Sequence, residues 1–177
     1  MTKRQEYRVI ETHKDFEIRE YQPCVIAEVK VSAHYSTASS SAFSSLFGYI
    51  SKGNKASQKI AMTAPVIAAH RAESPESDEW FVSFVMPSGS KFGHLPHPND
   101  PHVVLRELDA ETCIASSFRG RATAELSKIK TKELRAAAER ANISLSGETR
   151  ICRFDPPFKP GFLQYNEIVI PVFLGEQ

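Results

Sequence analysis

Residues 24–50 read CVIAEVKVSAHYSTASSSAFSSLFGYI, a strand pattern followed directly by a helix pattern. In the first part, apolar residues alternate with the charged Glu28 and Lys30, as in a strand with one buried face. In the second part, apolar residues recur at helical spacing over 38–50, and Gly53-Asn54 follow as stop signals. The helical stripe consists of Phe43, Leu46, Phe47 and Ile50. A strand leading into an amphipathic helix predicts a fold that mixes both element types.

The flanking segments extend this pattern to strand, strand, helix, strand, strand. Residues 16–19 alternate ahead of the first stretch, with Gln22-Pro23 between them, which predicts a β-hairpin. After the helix, residues 59–66 and 80–86 are predicted strands. The polar segment Glu73–Asp78 between these strands is predicted to be a solvated loop.

The second half repeats this order. Its predicted elements are strands at 103–105 and 113–115 around a hairpin turn at Asp109–Glu111, a helix from the N-cap Thr123 to Ala141, and strands at 150–154 and 167–172 around the proline-rich loop 155–161. Short echoes, such as Cys-Val-Ile-Ala at 24–27 and Cys-Ile-Ala at 113–115, accompany the repeated order. We therefore predict an internal duplication, with repeats at roughly 7–87 and 100–174.

Neither repeat can cover the apolar face of its own strands, so the two sheets are expected to join. The predicted fold is α+β, with duplicated ββαββ-type repeats forming a distorted antiparallel β-barrel flanked by two helices. The segment between the repeats is short, and the length of 177 residues suits one domain over 1–177.

The bulk composition excludes several classes of protein. The net charge of +1 gives no overall field for nucleic acid or an anionic membrane. No apolar run approaches the roughly 20 residues of a membrane span, and the N-terminus has no signal-peptide core, so a cytoplasmic protein is expected. The three cysteines are far apart and lie in apolar runs, which predicts reduced, buried thiols.

Several stretches of the chain resemble the SOUL family of heme-binding proteins. They are Phe16–Tyr21, Ala42–Ile50, Lys59–Val66, Phe84–Pro87, Pro96–Asp100 and Asn166–Ile168, of which Lys59–Val66 is the most specific. The resemblance runs in order from about residue 6 to the C-terminus. It implies two ββαββ-like repeats in a distorted barrel, and reversible binding of heme or another porphyrin without a chemical step.

The resemblance places a ligand cleft beside the first helix and the loop before the last strand. The residues predicted to bind the tetrapyrrole are Phe43, Phe47, Ile50, Met62, Phe158 and Lys159. A porphyrin needs an apolar slot for its faces and cationic or amide donors for its propionates. Lys159 is the candidate propionate partner, with a solvated surface lysine as the alternative. The aromatic stripe has an equally ordinary interpretation as core packing.

Iron ligation is a separate requirement, and the chain offers weak candidates for it. The spacing of the six histidines does not match a zinc-binding helix. A histidine that some family members carry after the first strand is replaced here by Glu20. His34 and Met62 remain as candidate axial ligands.

Two other functions stay open at this stage. Duplicated barrels of this kind also resemble GyrI-like effector-binding domains, in which a carboxylate such as Glu167 would favour a cationic ligand. Glu167 is alternatively an ion-paired strand residue. A protein-interaction module that uses the helix faces is the other possibility, whereas no nucleophile elbow, phosphate loop or dinucleotide fingerprint supports an enzyme.

Overall fold

The computed structural model of the chain describes residues 2–71 and 78–173. The loop predicted at 73–78 lies, apart from Asp78, outside the described residues. So does residue 174, the predicted end of the second repeat.

The described residues form two helices and ten strands. The helices are α1 (Tyr35–Ile50) and α2 (Ala124–Arg140), with short 3₁₀ turns at Phe92–His94 and Gly161–Leu163. The strands are β1 (Lys3–Arg4), β2 (Tyr7–Thr12), β3 (Glu17–Tyr21), β4 (Cys24–Ser32), β5 (Thr63–His70), β6 (Glu79–Val85), β7 (Val104–Leu108), β8 (Glu111–Arg119), β9 (Thr149–Arg153) and β10 (Tyr165–Pro171). Neither helix in the described part of the chain is long and apolar enough to cross a membrane.

All ten strands belong to one curled, half-barrel sheet. Its order is β2-β3-β8-β10-β9-β5-β6-β4-β7, and every pairing along this order is antiparallel. Strand β1 lies off this path and pairs in parallel with β5. Both helices pack on the same face of the sheet, which confirms the predicted α+β fold of a distorted antiparallel barrel with two flanking helices.

The strand order is symmetric about the junction of β9 and β5. The order from β3 to β7 reads β3-β8-β10-β9-β5-β6-β4-β7. If β3, β4, β5 and β6 are swapped with β7, β8, β9 and β10 respectively, the same order is obtained read backwards. Two ββαββ units that share one sheet would give this symmetry. The duplication over 7–87 and 100–174 itself stays a prediction.

Both predicted hairpins are wrong. Strand β3 pairs with β2 and β8 and not with β4, and β7 pairs with β4 and not with β8. A two-residue hairpin turn needs residues that accept positive φ, and Gln22-Pro23 offers neither glycine nor asparagine. Pro23 also lacks an N–H for a strand ladder. The two strands of each predicted hairpin, β3 with β4 and β7 with β8, therefore diverge toward opposite ends of the sheet, where each half supplies partners for the other.

The first half of the chain also differs from the prediction in an additional strand and in where two elements begin. Strand β2 precedes the first predicted strand and forms a hairpin with β3, bulged between Val9 and Glu11. Helix α1 begins at residue 35 rather than 38. Strand β5 begins at residue 63 rather than 59, because Lys59 forms an isolated bridge with Ser51 and the next residue bonds back to the end of α1. Helix α2 has the predicted N-cap, since the Thr123 hydroxyl accepts a hydrogen bond from the Leu126 amide at 3.1 Å.

The two faces of the sheet have different environments. The helix face packs against α1 and α2 in the main core, where Leu46 and Leu134 are buried. The opposite side, here called the open face, carries a smaller apolar cluster that includes Ile26, Ile67 and Val169. The predicted alternation of β4 is confirmed, because its odd-numbered apolar residues from 25 to 31 all pack in the main core. Side chains of opposite parity point to the open face.

Candidate functional site

The two phenylalanines predicted to form a wall of the site lie together on α1. The rings of Phe43 and Phe47 are nearly parallel, with centroids 5.8 Å apart and an interplanar angle of 11°. Phe43 is half-buried and meets the edge of the Phe84 ring of β6 at 5.4 Å, whereas 49% of Phe47 is exposed. The pair therefore presents a flat apolar surface that is anchored to the core at one end.

The two helices pack on different pairs of strands. Helix α1 packs against β4 and β6, and α2 against β8 and β10, so β5 and β9 lie between them. The helix-face side chains of these two strands are covered, since Val66, Ala68 and Ile151 are at most 9% exposed. We call the surface of β5 and β9 between α1 and α2 the helix groove.

The Phe43–Phe47 pair lies on the groove side of α1. The far side of α1 carries Tyr49, whose hydroxyl donates to the Pro96 carbonyl at 2.7 Å in the segment that leads to β7. Successive helical residues turn by about 100°, which places residues 43 and 47 on the other side of the helix from Tyr49. Tyr35, at the first turn, closes one end of the groove by donating to the Ala122 carbonyl at 3.0 Å, just before α2.

Met62 and Ile50 occupy different positions relative to the groove. Met62 directly precedes β5, and its half-buried side chain packs on the main core, as Phe43 does. Ile50 is only 4% exposed and is itself part of that core. Ile50 therefore supports the helix from below and offers little surface to a ligand.

The loop before β10 contains an exposed aromatic residue and a lysine that is already ion-paired. Phe158 is 87% exposed. The Lys159 ammonium pairs with the Asp155 carboxylate at 2.9 Å, so its charge is already neutralised within the loop. The loop is tied to the β8–α2 connection, where Arg119 donates to the Leu163 carbonyl and the Gly120 amide to the Gln164 carbonyl. These hydrogen bonds link the loop to the α2 side of the sheet, away from the phenylalanine pair.

The two candidate iron ligands lie beyond opposite ends of α1. His34 is exposed immediately before α1, with Nδ1 3.2 Å from the Ser36 hydroxyl. Met62 lies beyond the opposite end of α1. Within residues 2–71 and 78–173, no three His, Cys, Asp or Glu side chains cluster as a metal site. The roles of His34 and Met62 in ligation stay predictions.

The open face contains two adjoining clefts that the sequence analysis does not predict. Their volumes are about 340 and 500 Å³, and both are bordered by Ile67 and Arg150. The smaller cleft also contacts Tyr7, Tyr21 and Glu167. Half of the residues that line the larger one are charged, and the partners of these charges decide what it can bind.

Glu167 in the smaller cleft is an ion-paired strand residue. Its two oxygens accept hydrogen bonds from Arg19 at 2.9 and 2.8 Å, and the Tyr165 hydroxyl donates to it at 2.7 Å. The Arg19 guanidinium also stacks over the Tyr7 ring at 4.1 Å. Burial acts to lower the pKa of Arg19, but the hydrogen bond to Glu167 and neighbouring charges outweigh it and raise that pKa. The carboxylate therefore already has an internal cation.

Two further ion-pair clusters fill the charged part of the open face. They are Glu28 with Arg71 and Arg106, and Arg150 with Glu111 and Glu148, at nitrogen-to-oxygen distances of 2.8–3.1 Å, and an Arg71–Glu148 pair at 3.2 Å joins the two. Glu28 is 8% exposed, although its alternation in β4 is that of a solvent-facing residue. These clusters leave the open face polar but internally compensated.

The Glu28 cluster predicts a loss of stability in acid. Burial acts to raise the pKa of Glu28, but hydrogen bonds from Arg71 and Arg106 outweigh it and hold the pKa below the ordinary value of 4.5. A depressed folded-state pKa gives stability that is complete above that ordinary value and is lost as the pH falls through the folded value. We expect the free energy of unfolding in urea to fall below about pH 4.5. In Glu28→Gln it should be lower at pH 6 and fall less steeply in acid, and an unchanged acid slope would contradict this role.

The cysteines are free thiols as predicted, but only two of the three are buried. Cys24, Cys113 and Cys152 are all free thiols, and the latter two are buried. Burial raises the pKa of the Cys113 thiol to about 12, so it stays protonated at neutral pH. These thiols therefore serve as small apolar core groups.

Comparison with known proteins gives one family and several structures of the same fold. The model of the SOUL heme-binding protein family matches residues 2–171. The crystal structure of the EcmrR C-terminal domain is similar at 12% identity and a TM-score of 0.71, covering 94% of this chain and 98% of that one. A hydrolase from Listeria innocua is similar at 10% identity and a TM-score of 0.59, covering 93% and 94%. SAV2435 bound to tetraphenylphosphonium is similar at 9% identity and a TM-score of 0.51, covering 95% and 94%.

The comparison with curated proteins found no match. At 9–12% identity the structural similarities establish the fold alone. The family match is of another kind, because it spans nearly the whole chain and includes both helices and all ten strands. The chain belongs to the SOUL heme-binding protein family.

Proposed function

We propose that the protein binds heme or a related tetrapyrrole reversibly in the helix groove. The observation that carries this proposal is the stacked Phe43–Phe47 pair, which remains half-exposed at the edge of the groove. A planar macrocycle can lie against such a surface and bury it. Met62 would border the ligand near the start of β5. Phe158 is a further candidate for ligand contact if the loop before β10 moves toward the groove.

The residues of the groove fit a carrier that holds its ligand mainly by apolar contact. Heme bound here would contribute its own redox-active iron, and the protein would supply the apolar surface and the orientation. The exposed surface belongs to aromatic and thioether side chains, which suit a porphyrin ring. Weak or absent protein ligation of iron would allow the ligand to leave as well as to bind. We propose no chemical step and no nucleic acid partner.

The test is a titration with hemin and with iron-free protoporphyrin, followed by the Soret band and by fluorescence quenching. We expect saturable binding of both, because the apolar face rather than the iron provides most of the affinity. Phe47→Ser should weaken binding of both by at least about tenfold, as expected for an aromatic anchor in an interface. Because Phe47 is half-exposed, this change should leave the fold intact.

Phe92→Ser is the matched control. Phe92 is 46% exposed, close to the value for Phe47, but lies in the 3₁₀ turn after β6. Equal affinity losses in both variants would indicate non-specific adsorption and contradict the groove site. Binding of hemin without binding of protoporphyrin would show that most of the affinity comes from iron ligation, for which His34 and Met62 are the candidates.

A second candidate is an effector-binding module that uses the clefts of the open face. The clefts themselves favour it, and a structure of the same fold, SAV2435, is bound to tetraphenylphosphonium. One observation argues against it: the Arg19 guanidinium already pairs with the Glu167 carboxylate, which is therefore not free for a cationic ligand. Tetraphenylphosphonium is therefore included in the same titration, and we expect no saturable binding. Tight binding of this cation without porphyrin binding would favour the effector module.

A further inference from the structure

Arg153 lies on the floor of the helix groove. It is the last residue of β9, directly opposite Val66 of β5 and Asn166 of β10. Ile151, two residues earlier, packs in the main core, so Arg153 points to the same helix face. This arginine is not predicted as a site residue from the sequence, because it ends a short apolar strand whose covered face is not known from sequence.

Arg153 lacks an anionic partner. Within residues 2–71 and 78–173 its side chain makes no hydrogen bond and no ion pair, and its Nε atom is buried without an acceptor. On the open face, by contrast, Arg19, Arg71 and Arg150 each donate to at least one carboxylate. A guanidinium is always charged and presents five donors, and the buried Nε–H of half-buried Arg153 has lost water without gaining an acceptor, which is costly. Such a group is available to a ligand acceptor.

Other polar groups surround the same place. Burial raises the pKa of Tyr35, and the nearby Arg153 charge and the Ser127 and Ser39 hydroxyls act to lower it, so these groups lie close to the Tyr35 hydroxyl. Both serines are at least 95% buried, and they come from α1 and α2 respectively. The Tyr35 hydroxyl donates to the Ala122 carbonyl, but the Ser39 and Ser127 hydroxyls have no hydrogen-bond partner among the described residues, so this place can accept a polar group of a ligand.

The position of Arg153 relative to the phenylalanine pair follows from the strand register. Phe84, Val66 and Arg153 form a row across β6, β5 and β9 on the helix face. Two strand spacings place the backbone of Arg153 about 10 Å from that of Phe84, on which Phe43 packs. An apolar wall and an unpaired cation therefore face the same groove.

We propose that Arg153 is the anchor for a carboxylate of the bound tetrapyrrole, with the macrocycle resting on the Phe43–Phe47 pair. This inference depends on the proposed function and narrows its ligand to porphyrins that carry free acid groups. Arg153 takes the role predicted for Lys159, whose charge is satisfied by Asp155. A guanidinium also suits a carboxylate better than an ammonium does, because its donors match both oxygens.

The test compares protoporphyrin with its dimethyl ester, in which both acid groups are neutral. Affinities for both are measured by fluorescence quenching at one detergent concentration for the wild type, Arg153→Met and Lys159→Met. We expect Arg153→Met to bind the free acid about 10- to 100-fold more weakly and the ester as well as the wild type does. Lys159→Met should change neither affinity by more than about threefold.

Unfolding in urea separates a binding role from a structural one. Because Arg153 has no described partner, Arg153→Met should not lower the free energy of unfolding, and it should remain folded for the titration. If Arg153→Met binds the free acid as tightly as the wild type, the anchor is wrong while the tetrapyrrole site stands. If the wild type binds neither porphyrin, the proposed function and the anchor both fail. A destabilised Arg153→Met whose two affinities fall together would assign Arg153 to structure and overturn the proposal.

Discussion

Arg19→Met is expected to lower the free energy of unfolding by about 3–5 kcal/mol, because it leaves the Glu167 carboxylate buried without its cation. The side chains of Arg19 and Glu167 are 5% and 3% exposed, so water cannot replace the lost hydrogen bonds in the folded state. The measurement is equilibrium unfolding in urea at pH 7. Adding Glu167→Leu to Arg19→Met should recover most of the loss, since it removes the unpaired charge.

Arg8→Met is the control for the loss of an arginine from the same hairpin. Arg8 pairs with Glu20 at 3.2 Å, but their side chains are 69% and 37% exposed. Exposed pairs contribute about 0–1 kcal/mol, so this variant should stay close to the wild type. Similar losses in Arg8→Met and Arg19→Met would show that burial of the Arg19–Glu167 pair is not what makes it important.

Phe84→Ala is expected to lower the free energy of unfolding by about 3–5 kcal/mol, the usual cost of removing a buried phenylalanine. Phe84 is 2% exposed and supports the ring of Phe43 from below. The resulting cavity should let Phe43 sink away from the groove. Protoporphyrin affinity of the folded variant should therefore fall as well, by fluorescence titration at a temperature where the variant remains native.

Phe118→Ala separates these two effects. Phe118 is 6% exposed and lies in the same core on β8, opposite Asn166, at the far end of the row that contains Phe84. Its removal should cost a similar free energy of unfolding but leave Phe43 supported. If both variants lose protoporphyrin affinity equally, the loss reflects general destabilisation rather than the phenylalanine pair.

Much of the fold could be predicted because local patterns depend on local physics. Alternation in β4 identified the residues that reach the main core, and helical spacing identified α1. The capping threonine marked the start of α2 to the residue. The choice of strand partners could not be predicted in this way, because alternation specifies which residues share a face but not which strand lies alongside.

The environment of the open face was missed for a related reason. Glu28 and Arg19 alternate with apolar residues, a pattern that normally indicates solvent. The sheet curls, however, and encloses these side chains, so their charges are paired rather than hydrated. The curvature arises from the summed twist and bulges of ten strands, which no single strand encodes.

The candidate site was predicted in part. The sequence placed Phe43 and Phe47 on one helix side, and their exposure now distinguishes them from Ile50, which belongs to the core. Arg153 could not be recognised as a site residue from the sequence, because an arginine at the end of a strand is common and its environment is known only once the surface above it is known. Its missing partner is a property of the assembled fold.

The divergence of consecutive strands affects how the chain can be made. Strand β3 is complete by residue 21, yet its partner β8 ends at residue 119. At roughly 5–20 residues per second, translation delivers that partner about 5–20 s later. Pairings this distant in sequence also slow spontaneous folding. The nascent first half therefore emerges from the ribosome with an unfinished sheet edge that only the second half can complete, and it is in this interval that chaperones would be needed most.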